Sequence, residues 1–190
     1  HDSYYSGFCN STLWPVFHNR LDLAAFDPRF YEGYRRVNRQ FAQLLLPLLQ
    51  PDDVIWVHDY HLMALASELR ALGCQQRIGF FLHIPFPPLV ALGAVPQHKA
   101  LMQALMDFDL VGLQSRQDLQ HFESYVLAQS DGRISHRHHY RAHGQQTRCE
   151  VFPVGIDAHA FAALTTTPPA LQVQATLAQE YCQRRLVVGI

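Results

Sequence analysis

Apolar residues recur at helical spacing along residues 29–49. Phe30, Tyr34, Val37, Phe41, Leu44, Leu45 and Leu48 share one side of an amphipathic helix, and Arg35, Arg36, Arg39 and Gln40 take the other. The break Gln50-Pro51-Asp52-Asp53 follows, then Val54-Ile55-Trp56-Val57, a continuous apolar run of the kind buried parallel strands use. It runs into His58-Asp59-Tyr60-His61, and a helix over about residues 62–72 stops at Gly73.

The unit then repeats. Residues 77–82 read as a second strand, entering the proline-rich turn His83-Ile84-Pro85-Phe86-Pro87-Pro88, with a helix over about residues 97–108 behind it. Leu110-Val111-Gly112-Leu113 is a third strand, and Ser115 is placed to cap a helix running to about Ala128. This alternation predicts an α/β fold: a Rossmann-like parallel sheet with helices on both faces, whose ligands bind beyond the carboxyl ends of the strands. Residues 130–148 interrupt the pattern with Ser, Gly, Arg and the histidines 136, 138, 139 and 143, and read as an excursion loop or hairpin before a short strand at 150–154. Thr165-Thr166-Thr167-Pro168-Pro169 is linker-like, residues 170–184 are helical, and a new strand begins near Leu186, so a domain boundary is expected between 155 and 185.

Composition narrows the class. A chain of 190 residues with 48% hydrophobic and 16% charged residues can bury one ordinary domain core. A formal charge of −1 supplies no whole-chain field for nucleic acid or an anionic membrane. No apolar run approaches the roughly 20 residues that span a bilayer, and no secretory signal opens the sequence, which makes the cytoplasm the default expectation. Cys9, Cys74, Cys149 and Cys182 are far apart and form no C-x-x-C pair, arguing against a zinc knuckle or disulfide framework. His1 in place of Met and the strand just begun at the other end give the expectation of an incomplete piece of a longer polypeptide.

Three polar clusters stand where such a sheet holds a ligand: Tyr4-Tyr5 with Trp14, the His58–His61 turn, and the His83–Pro87 turn. Imidazole and carboxylate exchange hydrogen bonds with sugar hydroxyls, and aromatic rings cover the apolar faces of a pyranose. Each feature also has a plainer reading: a His-Asp pair caps a helix, Pro85 and Pro87 fix a turn, and Tyr5 and Trp14 fill the core. His58, Asp59, His61 and His83 as metal ligands of a hydrolase form a competing reading, against which the 58, 59, 61 spacing tells, because neighbouring positions on a turn point in different directions.

The segments Tyr4–His18, Val57–Met63, Phe81–Pro87 and Phe152–Asp157, in this order and at these separations, resemble the trehalose-6-phosphate synthase family. The resemblance implies a GT-B retaining glycosyltransferase that moves glucose from UDP-glucose to glucose 6-phosphate, needing no metal and no cofactor, and often a homo-oligomer. On that pattern residues 1–164 are the later part of the N-terminal, acceptor-side domain, 165–184 a linker and helix, and 185–190 the start of the C-terminal donor-binding domain. Carried over by position, Tyr5 contacts the acceptor's phosphate end, Trp14 walls the acceptor pocket, Asp59 holds acceptor hydroxyls and His83 contacts the donor glucose. Ile84 lies beside the reacting sugars. Asp59 and His83 are the pair expected at the catalytic centre, Asp59 as an orienting group, since the leaving diphosphate helps to deprotonate the acceptor. The resemblance also implies that the glycine-bearing loop and an arginine for the acceptor phosphate precede His1. The Arg and Lys that grip the diphosphate follow Ile190, so the 190 residues alone are expected to lack useful activity. After Pro87 the sequence departs from the family pattern, continuing apolar through Pro88-Leu89-Val90-Ala91-Leu92. A relative that uses glycerol 3-phosphate as acceptor, or a synthase-like regulatory subunit without turnover, are the alternatives.

Overall fold

The computed structural model describes residues 2–135, 138–181 and 184, which fall into two units, His1–Pro153 and Val154–Ile190. The strand expected from Leu186 onward, Cys182 and His136 lie outside the described residues.

The first unit opens with a π-helical segment, Asp2–Leu13, and a short α1, Trp14–Phe17. Helix α2, Pro28–Leu45, starts where Asp27 accepts the Arg29 N–H and Pro28 supplies a preset φ. Then come β1 (Val54–His58), α3 (Leu65–Ala71), β2 (Arg77–Phe81), α4 (Leu89–Gly93), α5 (His98–Leu105), β3 (Leu110–Leu113) and α6 (Arg116–Leu127). Gly73 ends the α3 turn at φ +89°, as its position after the periodic run predicts. Ser115 and Asp118 form a reciprocal capping box at the start of α6. Three short strands close the unit: β4 (Arg133–Ser135), β5 (His139–Ala142) and β6 (Gln145–Val151).

All six strands belong to one sheet in the order β1-β2-β3-β6-β5-β4. The first three pairings are parallel, with Val57 opposite Phe80, Phe80 opposite Val111 and Val111 opposite Cys149. The α/β class and the wound parallel core expected from the alternation are therefore the ones formed. Ile55, Val57, Ile78, Phe80, Val111, Leu113 and Cys149 share one face of this sheet and belong to a single core cluster with Leu69, Leu101, Leu105, Phe122 and Val126 of the helices. Each such side chain contributes on the order of 1.5–3 kcal/mol by leaving water.

Three local readings change. The apolar run of β1, first in the strand order among the described residues, alternates: Ile55 and Val57 are buried, while Val54 and Trp56 on the other face remain 70% and 67% exposed. Helix α2 turns Gly33, Tyr34, Asn38 and Ala42 inward, leaving Phe41 and Leu44 exposed although they belong to the expected apolar stripe; Leu48, also on that stripe, falls in the 3-10 turn Leu46–Leu48 beyond the helix and is exposed too. The polar work of Tyr34 and Asn38, described below, fixes that rotation. Residues 139–151 form the hairpin alternative: β5 and β6 pair antiparallel, burying Tyr140, Ala142, Thr147 and Cys149 with period 2 and leaving Arg141, Gln146 and Arg148 outside. The strand expected at 150–154 begins earlier, at Gln145.

On the opposite sheet face Gly112 stands where a Cβ would come within 2.7 Å of the Phe81 ring and 3.2 Å of Phe152. Glycine there lets the β2 aromatic lie flat across β3. Cys9, Cys74 and Cys149 are free and buried.

The second unit holds α7, Ala158–Leu164, capped by the Asp157 carboxylate on the Ala160 N–H, and α8, Pro168–Glu180, with its prolines at the first helical positions.

Candidate active site

Asp59 joins the ends of two neighbouring strands. It follows β1 directly, and its N–H donates to the Phe81 carbonyl at 2.8 Å, carrying the β1–β2 ladder one step past the strand. Its carboxylate Oδ1 then accepts the backbone N–H of His83 at 3.2 Å. Asp59 holds φ 70°, ψ 166°, a region non-glycine residues rarely occupy at a cost of about 1–3 kcal/mol. That conformation places a partly buried carboxylate across both turns, with Oδ2 free of partners among the described residues. Asp59 and His83 thus sit together at the carboxyl edge of adjacent parallel strands, where α/β sheets place their ligands.

The turn after Asp59 is held from outside the sheet. The fully buried Tyr34 hydroxyl donates to the Tyr60 carbonyl at 2.8 Å and accepts the Met63 N–H at 2.9 Å. The His61 carbonyl accepts from Tyr4 Oη at 3.2 Å and from Asn38 Nδ2 at 3.3 Å, and Tyr60 Oη donates to Asn10 Oδ1 at 3.1 Å. The opening segment and α2 therefore clamp residues 60–63 through side-chain hydroxyls and two amides. Burial pushes the Tyr4 and Tyr34 hydroxyls up and brings Tyr60 to about 12, with Cys9 and Asp59 adding to the Tyr60 shift. All three remain protonated donors at neutral pH.

Two aromatic faces border this turn. Tyr5 stacks on His61 with centroids 5.6 Å apart and planes 12° from parallel. Trp14 covers His18 at 4.1 Å and lies 5.8 Å from Tyr60. Both rings are 44% exposed, so neither is core filling. Burial lowers the His61 pKa, opposed by the Asp59 carboxylate, and its Nε2 is buried without a hydrogen bond. A neutral ring backing Tyr5 follows.

The second turn is anchored at its far end. Phe86 N–H donates to Asp118 Oδ1 at 2.8 Å, His121 Nδ1 meets the Phe86 carbonyl at 2.8 Å, and Asp118 Oδ2 accepts the Ser115 N–H at 2.9 Å and the Ser115 hydroxyl at 2.6 Å. The α6 cap and the proline-rich turn thus share one buried carboxylate. Asp118→Ala leaves the Phe86 and Ser115 N–H groups without acceptors, which costs about 2–4 kcal/mol in chemical denaturation. A loss below about 1 kcal/mol contradicts this assignment. Ile84 stands between the anchors with its side chain 7% exposed, in the core. His83 is exposed; its ring packs edge-on to Phe81 at 4.8 Å and meets His58 at 2.9 Å, Nε2 to Nδ1.

The fold brings together Asp59, His83 and, through His61 and Tyr60, Tyr5 and Trp14. Tyr34, Asn38 and Asp118 are the supports that sequence reading passed over, and Tyr4, expected in a ligand cluster with Tyr5, serves as a support as well. Tyr34 and Asn38 did carry a signal, a polar amide four residues after a tyrosine on an otherwise apolar helical stripe. Among the described residues no group of three or more His, Cys, Asp or Glu side chains is arranged to hold a metal.

Comparison with known proteins shows the family to which the chain belongs. The model of Glycosyltransferase family 20 matches residues 1–190. The trehalose-6-phosphate synthase of Klebsiella pneumoniae is 48% identical over 157 residues, 83% of this chain and 33% of that protein. That of Sinorhizobium fredii is 41% identical over 189 residues, 100% of this chain and 41% of its own length. Among solved structures, an alpha,alpha-trehalose-phosphate synthase (UDP-forming) from Burkholderia xenovorans in complex with glucose-6-phosphate superposes with a TM-score of 0.85 at 46% identity, covering 93% of this chain and 40% of that one. The E. coli protein bound with UDP-2-fluoro glucose gives 0.84 at 44% identity, with the same coverage. The chain spans between a third and about two fifths of the relatives' length.

Proposed function

Because this chain belongs to glycosyltransferase family 20, we propose that it forms the acceptor-side part of a GT-B enzyme that transfers glucose from UDP-glucose to glucose 6-phosphate with retention, giving trehalose 6-phosphate and UDP. One observation carries the reading: Asp59 and His83 hydrogen-bond to each other across the carboxyl ends of neighbouring parallel strands, beside the exposed rings of Tyr5 and Trp14. The likeness to a structure in complex with glucose-6-phosphate and to one bound with UDP-2-fluoro glucose supports the two substrates.

In this reading Tyr5 meets the phosphate end of the acceptor, Trp14 closes its sugar pocket, and Asp59 Oδ2 accepts from acceptor hydroxyls. His83 contacts the donor glucose, and the backbone at Ile84 runs beside the reacting carbons. Asp59 acts by orientation: a fixed carboxylate that aligns the attacking hydroxyl converts binding energy into a near-attack geometry. Residues 1–164 belong to the acceptor domain, 165–184 to a connecting helix, and 185–190 to the start of the donor domain. We place the reaction in the cytoplasm, in a homo-oligomer. No described helix is long and apolar enough to cross a membrane.

The test is product identification. UDP-, ADP- and GDP-glucose are each supplied with glucose 6-phosphate or glycerol 3-phosphate to the longest natural polypeptide carrying this sequence. Trehalose 6-phosphate and UDP are the expected main products, and the 190 residues alone turn over little. Preference for glycerol 3-phosphate, or absence of transfer in the long form, overturns the assignment.

A further inference from the structure

His58 belongs to none of the roles above, yet it makes the closest side-chain contact of His83. The two rings stack with centroids 5.2 Å apart and planes 23° from parallel, and His58 Nδ1 lies 2.9 Å from His83 Nε2, a hydrogen-bond distance. Their backbones fix the meeting: His58 ends β1, its register partner Phe81 ends β2, and His83 follows two residues later. Trp56, two positions back on the same sheet face, packs on His58 at 4.5 Å, so the contact rests on a three-ring column of Trp56, His58 and His83.

A neutral imidazole has one N–H and one acceptor nitrogen. The contact between Nδ1 and Nε2 holds a single proton and removes His83 Nε2 from the nitrogens a sugar can use. The remaining nitrogen, Nδ1, donates or accepts according to which ring supplies the shared proton. When His58 donates, His83 carries its own proton on Nδ1 and offers a donor; when His83 donates, its Nδ1 offers an acceptor. Two doubly protonated rings would set N–H against N–H, so the bond holds while at least one ring is neutral.

We infer that His58 is a positioning residue: it orients the His83 ring and selects its tautomer, leaving His83 Nδ1 as the atom that meets a sugar hydroxyl. The inference rests on the reading of His83 as the contact to the donor glucose. His58 acts only through that ring, as the outer partner of a functional imidazole commonly does.

In the active enzyme, His58→Ala lowers kcat about tenfold or more, because a freely turning His83 ring populates the productive geometry less often. KM for the acceptor stays unchanged. His58→Asn, whose side-chain amide can reach the place of the Nδ1 atom, restores most of the rate. The double variant H58A/H83A is no slower than H83A, since His58 has nothing to act through once His83 is gone. Nitrogen-15 NMR of the His83 ring shows one dominant tautomer in the parent and a mixture in H58A. An H58A enzyme at the parent rate, losses that add in full in the double variant, or an unchanged ring spectrum each overturn the role of His58. Should H83A itself transfer glucose at the parent rate, the assignment of His83 fails first, and the inference fails with it.

Discussion

Replacing Asp59 with Asn lowers transfer to glucose 6-phosphate about a hundredfold or more while leaving the fold in place. The substitution separates the two jobs of this side chain. An Asn Oδ1 can still accept the His83 N–H that Asp59 Oδ1 accepts, and Asn matches Asp in shape, so it adds no backbone strain at φ 70°, ψ 166° beyond what Asp59 already carries and the joint between the two turns survives. What changes is the second atom, which becomes an N–H donor in place of a charged acceptor. Hydrogen bonds to a charged group contribute about 1.5–3 kcal/mol each, and 2.7 kcal/mol is a factor of about 100 in rate. Asp59→Ala removes both jobs and falls further, with a loss of stability that the Asn variant does not share. Steady-state rates for both variants at saturating donor check this. Parent-like turnover by D59N makes Asp59 a turn cap and nothing more.

Tyr34→Phe is expected to cost about 3 kcal/mol of unfolding free energy in urea, although it removes a single oxygen. That oxygen is fully buried and serves both as donor to Tyr60 and as acceptor from Met63. Its loss leaves a carbonyl and an N–H without partners in a place that water does not reach, each at about 1–3 kcal/mol. The turn that follows Asp59 then loosens, so activity drops along with stability. A change below about 1 kcal/mol contradicts the assignment of Tyr34 as the clamp of this turn.

The strand–helix alternation, the polar turns at the ends of β1 and β2 and the Ser115 cap were legible because each is encoded locally. Apolar runs mark strands, Gly73 ends a helix, and Ser115 stands ahead of a helical stripe. Rotation of α2 was not legible from its apolar stripe, because Tyr34 and Asn38 face inward to satisfy carbonyls 26 and 23 residues away, at Tyr60 and His61. A period of 3.6 finds the apolar side of a helix but says nothing of distant polar groups that must be satisfied. The alternation in β1 was hidden for a related reason: Val54 and Trp56 read as interior residues, and only the packing of the fold shows that Ile55 and Val57 take the buried face. The strands β5 and β6 were obscured by His139, Arg141, Gln146 and Arg148, which occupy the outward positions of an alternation whose inward members are Tyr140, Ala142, Thr147 and Cys149. Of the site, the clusters that carry Asp59, His83, Tyr5 and Trp14 stood out as polar and aromatic stretches where such a sheet holds a ligand, while the role of each residue came from the resemblance to a family. Their mutual geometry and the support from Tyr34, Asn38, Asp118 and His58 came only from the fold.

A structure of the long polypeptide carrying this sequence, solved with glucose 6-phosphate and an unreactive UDP-glucose analogue, tests the central claim most directly. The prediction is an acceptor hydroxyl within about 3 Å of Asp59 Oδ2, the usual reach of such a bond, with the donor glucose against His83 and Trp14 along the acceptor ring. A sugar phosphate bound elsewhere, with Asp59 and His83 touching only each other, would contradict it.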